Sequence, residues 1–277
     1  MKTNKLLFIT LTFFFTITLT AQKIQGIATY KTDRKVDLKS DDSKMDDAMR
    51  ESIAAQLKKQ FQREYTLTFN TEESLYIQEE EGLTAPSPMS SGGITITVSG
   101  NTDVLYRNTK ENRLVNQTEI MSKAFLIKDS LSAIDWKLEK EIKNIGEYTC
   151  FKATYTREVT EQTFDSATNE MVEVKKDRVT TAWYTLDIPV QHGPAEFWGL
   201  PGLILEISDG DLTILCSKIV LNPEKGIAIQ EADKGKVVTQ EEFNAIQKKK
   251  TDEMMEQFQN SSRRNDGSTR VIRIGGS

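Results

Sequence analysis

Across 277 residues, 36 lysines and arginines face 41 aspartates and glutamates, a formal net charge of -5. That balance argues against a general binder of nucleic acid or anionic lipid, since phosphate contacts need clustered cations. Two cysteines far apart and a single histidine do not supply metal-ligand spacing, and the length suits one large β domain of roughly 200–250 residues behind a leader.

The leader is the first readable element. Lys2 and Lys5 precede an apolar and hydroxyl stretch over 6–19, followed by Thr20, Ala21 and Gln22. This is the pattern of a secretory signal peptide over 1–21, cleaved after Ala21. Spanning a membrane takes about 20 apolar residues; this run is shorter and is diluted by Thr10, Thr12, Thr16 and Thr18. No cysteine near Ala21 offers a lipid anchor. The mature chain is therefore expected in the periplasm or outside the cell, without a transmembrane segment, at a formal charge of -5 - 2 = -7.

A single β-rich domain is expected over 22–260. Alternation over 24–31 predicts a first strand, with Ala28 and Tyr30 sharing a face. From 42 to 62 the period changes: Met45, Met49, Ile53, Leu57 and Phe61 recur every fourth residue among charged neighbours, which predicts an amphipathic helix. A hairpin is expected at 65–69 and 74–77. Acid, proline, serine and glycine dominate 79–101, so that stretch reads as a mobile insertion with a short arm at 94–98. Strands follow at 104–107, 113–117 and 124–128.

Next come a tryptophan strand over 136–142, a turn through Asn144, Ile145 and Gly146, and a long strand over 148–160. The polar stretch 165–170 turns that strand back onto 172–185. Pro189 ends the pairing because it lacks a ladder donor, and His192, Gly193 and Pro194 begin a corner. The corner continues through Phe197, Trp198, Gly199, Leu200, Pro201 and Gly202 into an apolar strand over 203–207. Asp209 and Gly210 then mark a hairpin into 212–221. Thr239 with Glu242 three residues later is a capping box for a helix over 239–260. The basic tail 261–277 is expected to be flexible, with a short strand at 271–274.

Residues 199–204 read Gly-Leu-Pro-Gly-Leu-Ile. This run resembles the signature of the GLPGLI family of exported bacterial envelope proteins, whose activity is uncharacterised. The tryptophan strand, the glycine turn and Tyr148-Thr149-Cys150-Phe151-Lys152-Ala153 are similar to a second region of that family. The resemblance implies an envelope location and leaves the activity open.

The corner carries the candidate site. Pro201 and Gly202 have the composition of a tight turn in which glycine takes the positive φ. Phe197, Trp198 and Leu200 would wall an apolar pocket at the open end of the sheet. Strict alternation in 203–207 places Leu203, Leu205 and Ile207 on one face, with Ile204 and Glu206 on the other. Glu206 and His192 are the candidates for acid-base chemistry. No nucleophile elbow, phosphate-cradling loop, paired His or Cys motif or calcium loop is present, so no cofactor is implied. Cys150 and Cys216 lie in strand-like runs, and an oxidising compartment permits either a disulfide or two buried thiols.

The expectation is a mainly β (α+β) chain: one strongly curved antiparallel sheet or half-barrel of about ten strands with two amphipathic helices packed on it. Its leading function is a periplasmic binding or accessory module for an apolar ligand, lipid or partner segment. The alternatives are a structural protein working with an outer-membrane receptor, and a hydrolase using carboxylates or His192.

Overall fold

The computed structural model describes residues 24–35, 55, 62–79, 89–91, 94–99, 103–165, 170–264 and 270–275. The expected leader lies outside them, as does nearly all of the helix expected over 42–62. The strands begin with β1 (Gly26–Arg34), β2 (Glu64–Phe69), β3 (Glu73–Gln78), β4 (Met89–Ser91) and β5 (Ile94–Ser99). They continue with β6 (Val104–Asn108), β7 (Arg113–Ile120), β8 (Lys123–Ser130), β9 (Lys137–Ile145), β10 (Tyr148–Asp165) and β11 (Glu170–Thr185). After the corner come β12 (Leu203–Asp209), β13 (Leu212–Leu221) and β14 (Lys236–Val238), then helix α1 (Gln240–Arg264) and β15 (Arg270–Gly275).

Twelve strands form one sheet in the order β14-β8-β7-β6-β3-β2-β1-β13-β12-β11-β10-β9, and β15, β5 and β4 form a separate three-stranded sheet. The mainly β class is as expected, with one correction, the number of strands. The large sheet has twelve strands rather than about ten, and α1 is the one helix of which more than a single residue is described. In the large sheet, the strand that the sequence did not announce is β14, which is only three residues long. It exists through parallel pairing of Lys236 to Phe125 and Val238 to Ile127, a partner choice that no local pattern announces.

β1 joins the two halves of the sheet. It pairs antiparallel with β2 on one side and with β13 on the other. Asn116 on β7 and Arg157 on β10 nevertheless line one cavity of about 830 Å³. Those strands stand eight places apart in the order, roughly 38 Å in a flat sheet at about 4.8 Å per strand. The sheet must curl around its inner face to bring them together.

That inner face holds the main core. Ala28, Tyr30, Leu67, Phe69, Cys150, Ala153, Ala182, Ile207 and Ile214 are buried there, together with Ile188, Val190, Phe197, Leu200 and Leu203 from the corner. Each leucine, isoleucine, valine or phenylalanine among them stabilises the fold by about 1.5–3 kcal/mol through burial. On the outer face, Leu75, Tyr106, Val115 and Leu126 are covered by Ile229 and Ala232 of the segment after β13.

The capping box forms as the sequence predicts. The backbone N–H of Thr239 donates to Glu242 Oε2 at 2.9 Å, and the N–H of Glu242 donates to Thr239 Oγ1 at 3.2 Å. Phe243 then packs edge-on against Phe125, with centroids 5.6 Å apart, docking the first turns of α1 on β8.

Candidate functional site

The corner between β11 and β12 folds into the curl of the sheet and is tied there mostly through its own backbone. The N–H of Leu203 donates to Ile188 O at 2.9 Å, that of Ile204 to His192 O at 3.1 Å, and that of Gly199 to Gln191 O at 3.1 Å. Side chains from distant strands finish the binding. Tyr30 Oη donates to Ile204 O at 2.7 Å, Trp136 Nε1 to Trp198 O at 2.8 Å, and Arg107 to the carbonyls of Gly193 (3.2 Å) and Ala195.

The glycines divide the work differently from the expectation. Gly199, not Gly202, takes the positive φ, at 92°. Gly202 is required because a Cβ there would lie 2.7 Å from the carbonyl carbon of Thr185, closer than packed atoms approach. The sequence showed a Pro-Gly pair; it could not show that the end of β11 passes against the second glycine.

Strict alternation in β12 is also corrected. The register shifts between Trp183 and Tyr184, so that Glu206 opposes Trp183 while Ile204 opposes Tyr184, and Leu205 is the extra residue. This bulge moves Ile204 onto the inner face with Ile207. Glu206 stays on the outer face, 2.7 Å from Lys143 Nζ, and that ammonium lies 4.3 Å from the centroid of the Trp183 ring. Glu206 is thus a surface ion-pair partner on the face opposite the cavity.

Of the residues singled out in the sequence, Trp198 alone lines the cavity; Phe197 and Leu200 are each 1% exposed and belong to the core behind it. The wall is mixed. Tyr65 and Tyr76 stack with centroids 4.9 Å apart, and Leu105, Leu114 and Ile214 add apolar surface. Arg157 meets Asp209 at 2.7 Å and Glu196 at 3.9 Å across it. Asp209, 8% exposed, also accepts from Thr180 Oγ1 at 2.8 Å.

His192 is buried, and its Nε2 lies 3.0 Å from Asn70 O, which fixes Nε2 as the protonated nitrogen. Its Nδ1 has no partner. Burial, reinforced by the charge of Arg107, lowers its pKa to about 3, so the ring is neutral. The ring is held against a backbone carbonyl in the core and is not among the residues that line the cavity.

Burial also lowers Arg107, to about 10, and keeps the phenols of Tyr30 and Tyr76 well above their usual range. Asp103, on the cavity wall, is raised by burial against the opposing hydrogen bond from Thr118. Cys150 and Cys216 are free thiols rather than a disulfide, with burial pushing them up to about 11 and about 12.

Among the described residues no group of three His, Cys, Asp or Glu is placed to hold a metal ion, and no helix is long and apolar enough to cross a membrane. Residues 136–206, which run from Trp136 through β9, β10, β11 and the corner to Glu206, match a family described as "Protein of unknown function (Porph_ging)". No curated protein matches the chain. Among solved structures, PNGF-II in its C2 crystal form is similar over 80% of this chain at 14% identity and a TM-score of 0.47. Its P21 form is similar over 78% at 15% identity and a TM-score of 0.43. This chain spans about a third of the length of those neighbours, 32% and 31%, a likeness too partial to inform fold or activity.

The cavity arginines went unnoticed in the sequence because they are scattered from 34 to 178. One signal was available. In the hairpin closed by the polar stretch 165–170, Arg157 and Arg178 fall opposite each other, and both line the cavity.

Proposed function

We propose that this chain is an exported cell-envelope protein of the GLPGLI type, acting as a binding module whose inner-face cavity holds an amphipathic ligand or partner segment. The supporting observation is the cavity of about 830 Å³, within the range of ligand sites, with the corner as one wall. Export is supported by the leader pattern over 1–21. The lining narrows the expected ligand from purely apolar to amphipathic. Leu105, Leu114, Ile214 and Trp198 offer apolar contact, while arginines and acids offer directional hydrogen bonds.

The test is native mass spectrometry of the chain purified from its own envelope without denaturation. A mass excess that disappears on unfolding, and that is lost in a Leu114→Arg variant filling the cavity, is the expected result. Equal native and denatured masses, together with no stabilisation of refolded chain by envelope extract, would overturn it.

A further inference from the structure

Six arginines lie among the described residues before α1: Arg34, Arg63, Arg107, Arg113, Arg157 and Arg178. All but Arg113 line the cavity, and no lysine does, although the chain's 36 cationic residues are mostly lysine. Arginine and lysine are not interchangeable in such a place. A guanidinium is a flat fork of five donors that matches carboxylate and phosphate oxygens in pairs, while an ammonium is a strongly hydrated point charge.

Arg107 stands apart from the others. Arg157 has Asp209 and Glu196 as acidic partners, and Arg178 lies 3.9 Å from Asp209. Arg107 is 1% exposed and makes no ion pair among the described residues. Its two amino groups donate to the neutral carbonyls of Gly193 and Ala195, and its buried Nε has no acceptor. Burying a full charge without a counter-charge is costly, and folded proteins pair buried guanidiniums with carboxylates or phosphates. The acid whose charge acts on it is Glu196, whose side chain is 62% exposed and sits beside Arg157.

Two further wall groups are one-sided in the opposite sense, each open to a donor on the ligand's body. Asp103 Oδ1 and Asn116 Oδ1 are buried acceptors without donors. Tyr76 and Leu105, paired on adjacent strands, make a flat apolar surface on the same wall.

We infer that the cavity recognises an organic anion, its carboxylate or phosphate end seated at Arg107 and its flat or apolar body laid along Tyr76, Tyr65 and Leu105. This rests on the binding-module reading and adds to it the charge of the ligand and the residue that selects it. Arg107 thereby has two roles: it ties the corner to β6, and it presents a positive charge to whatever the corner helps enclose.

The experiment follows the indole N–H signals of the three tryptophans in the full chain during titration with benzoate, phenyl phosphate and neutral benzamide. Trp198 reports on the cavity, and Trp183, beside Lys143 on the outer face, is the internal control. The expected result is a saturable shift of Trp198 with one or both anions, Trp183 unmoved, and benzamide without effect; which anion binds more tightly separates a carboxylate from a phosphate ligand. Arg107→Lys, which keeps the charge and loses the fork, should weaken anion binding about tenfold or more. Should that variant fail to fold, crystals of the unaltered chain soaked in para-iodobenzoate locate the ring by its iodine, with the carboxylate expected against Arg107. Benzamide binding as well as benzoate would leave the binding module standing and remove the anion. Anion binding undiminished in Arg107→Lys, or an iodine elsewhere, would remove Arg107. No shift of Trp198 with any probe, alongside a co-purifying ligand in native mass spectrometry, would overturn the inference alone; with no co-purifying ligand, both readings fall.

Discussion

The carbonyl carbon of Thr185 lies 2.7 Å from the point where a side chain on Gly202 would begin. The last residue of β11 and the last residue of the corner are thereby pressed together, and the space between them admits only hydrogen. Gly199 has open space around it but a φ of 92°. Gly202→Ala should therefore destabilise the chain by about 3 kcal/mol or more, through a backbone shift that separates β11 from β12. Gly199→Ala should cost only about 1–2 kcal/mol, from strain in φ. Urea midpoints of the two variants give the comparison, and equal losses would contradict it.

His192 makes stability depend on pH in a definite direction. Its folded pKa of about 3 lies below the ordinary value of 6.5. Below pH about 6.5 the unfolded chain takes up a proton that the folded chain refuses, so stability falls as pH drops toward 3. The slope from this group is about 1.4 kcal/mol per pH unit in that window, and none remains above it. In His192→Phe the acid-side slope should be shallower by that amount, measured as urea midpoints across pH; an unchanged slope would show that the ring titrates normally in the fold.

Cys150 and Cys216, both buried and both raised in pKa, should resist alkylation at about pH 8 in the folded chain. Unfolding in guanidinium should release two reactive thiols. An intact mass lower by two hydrogens before reduction would instead show a bridge.

Glu206 should matter little to binding. It faces Lys143 on the outer side, with side-chain exposures of 18% and 35%. Glu206→Gln is expected to cost at most about 1 kcal/mol and to leave ligand affinity unchanged. A loss of binding without a loss of stability would relocate the site to the outer face.

The sequence is legible where structure is local. The Asp209-Gly210 hairpin, with φ of 60° at Gly210 and Asp209 opposite Leu212, follows from turn chemistry alone. The Thr239–Glu242 box and the shared face of Ala28 and Tyr30 follow from short-range pattern in the same way. What alternation missed in β12 is a bulge, which adds one residue and shifts Ile204 onto the face of Ile207. The site was hidden more deeply. Arg107 reaches Ala195 across 88 positions of sequence, and only the pairing of β1 with β13 curls the sheet so that such residues meet. The corner's aromatic residues suggested a greasy pocket because composition does not show direction; Phe197 points into the core and Trp198 toward the cavity.

The most direct test of the account is a crystal structure of the chain purified from its own envelope without denaturation or stripping. Continuous non-protein density is expected on the inner face between Tyr65, Arg107 and Trp198, with its polar end toward Arg107. Ordered water alone in that space, or a ligand bound to the outer face near Glu206, would contradict it.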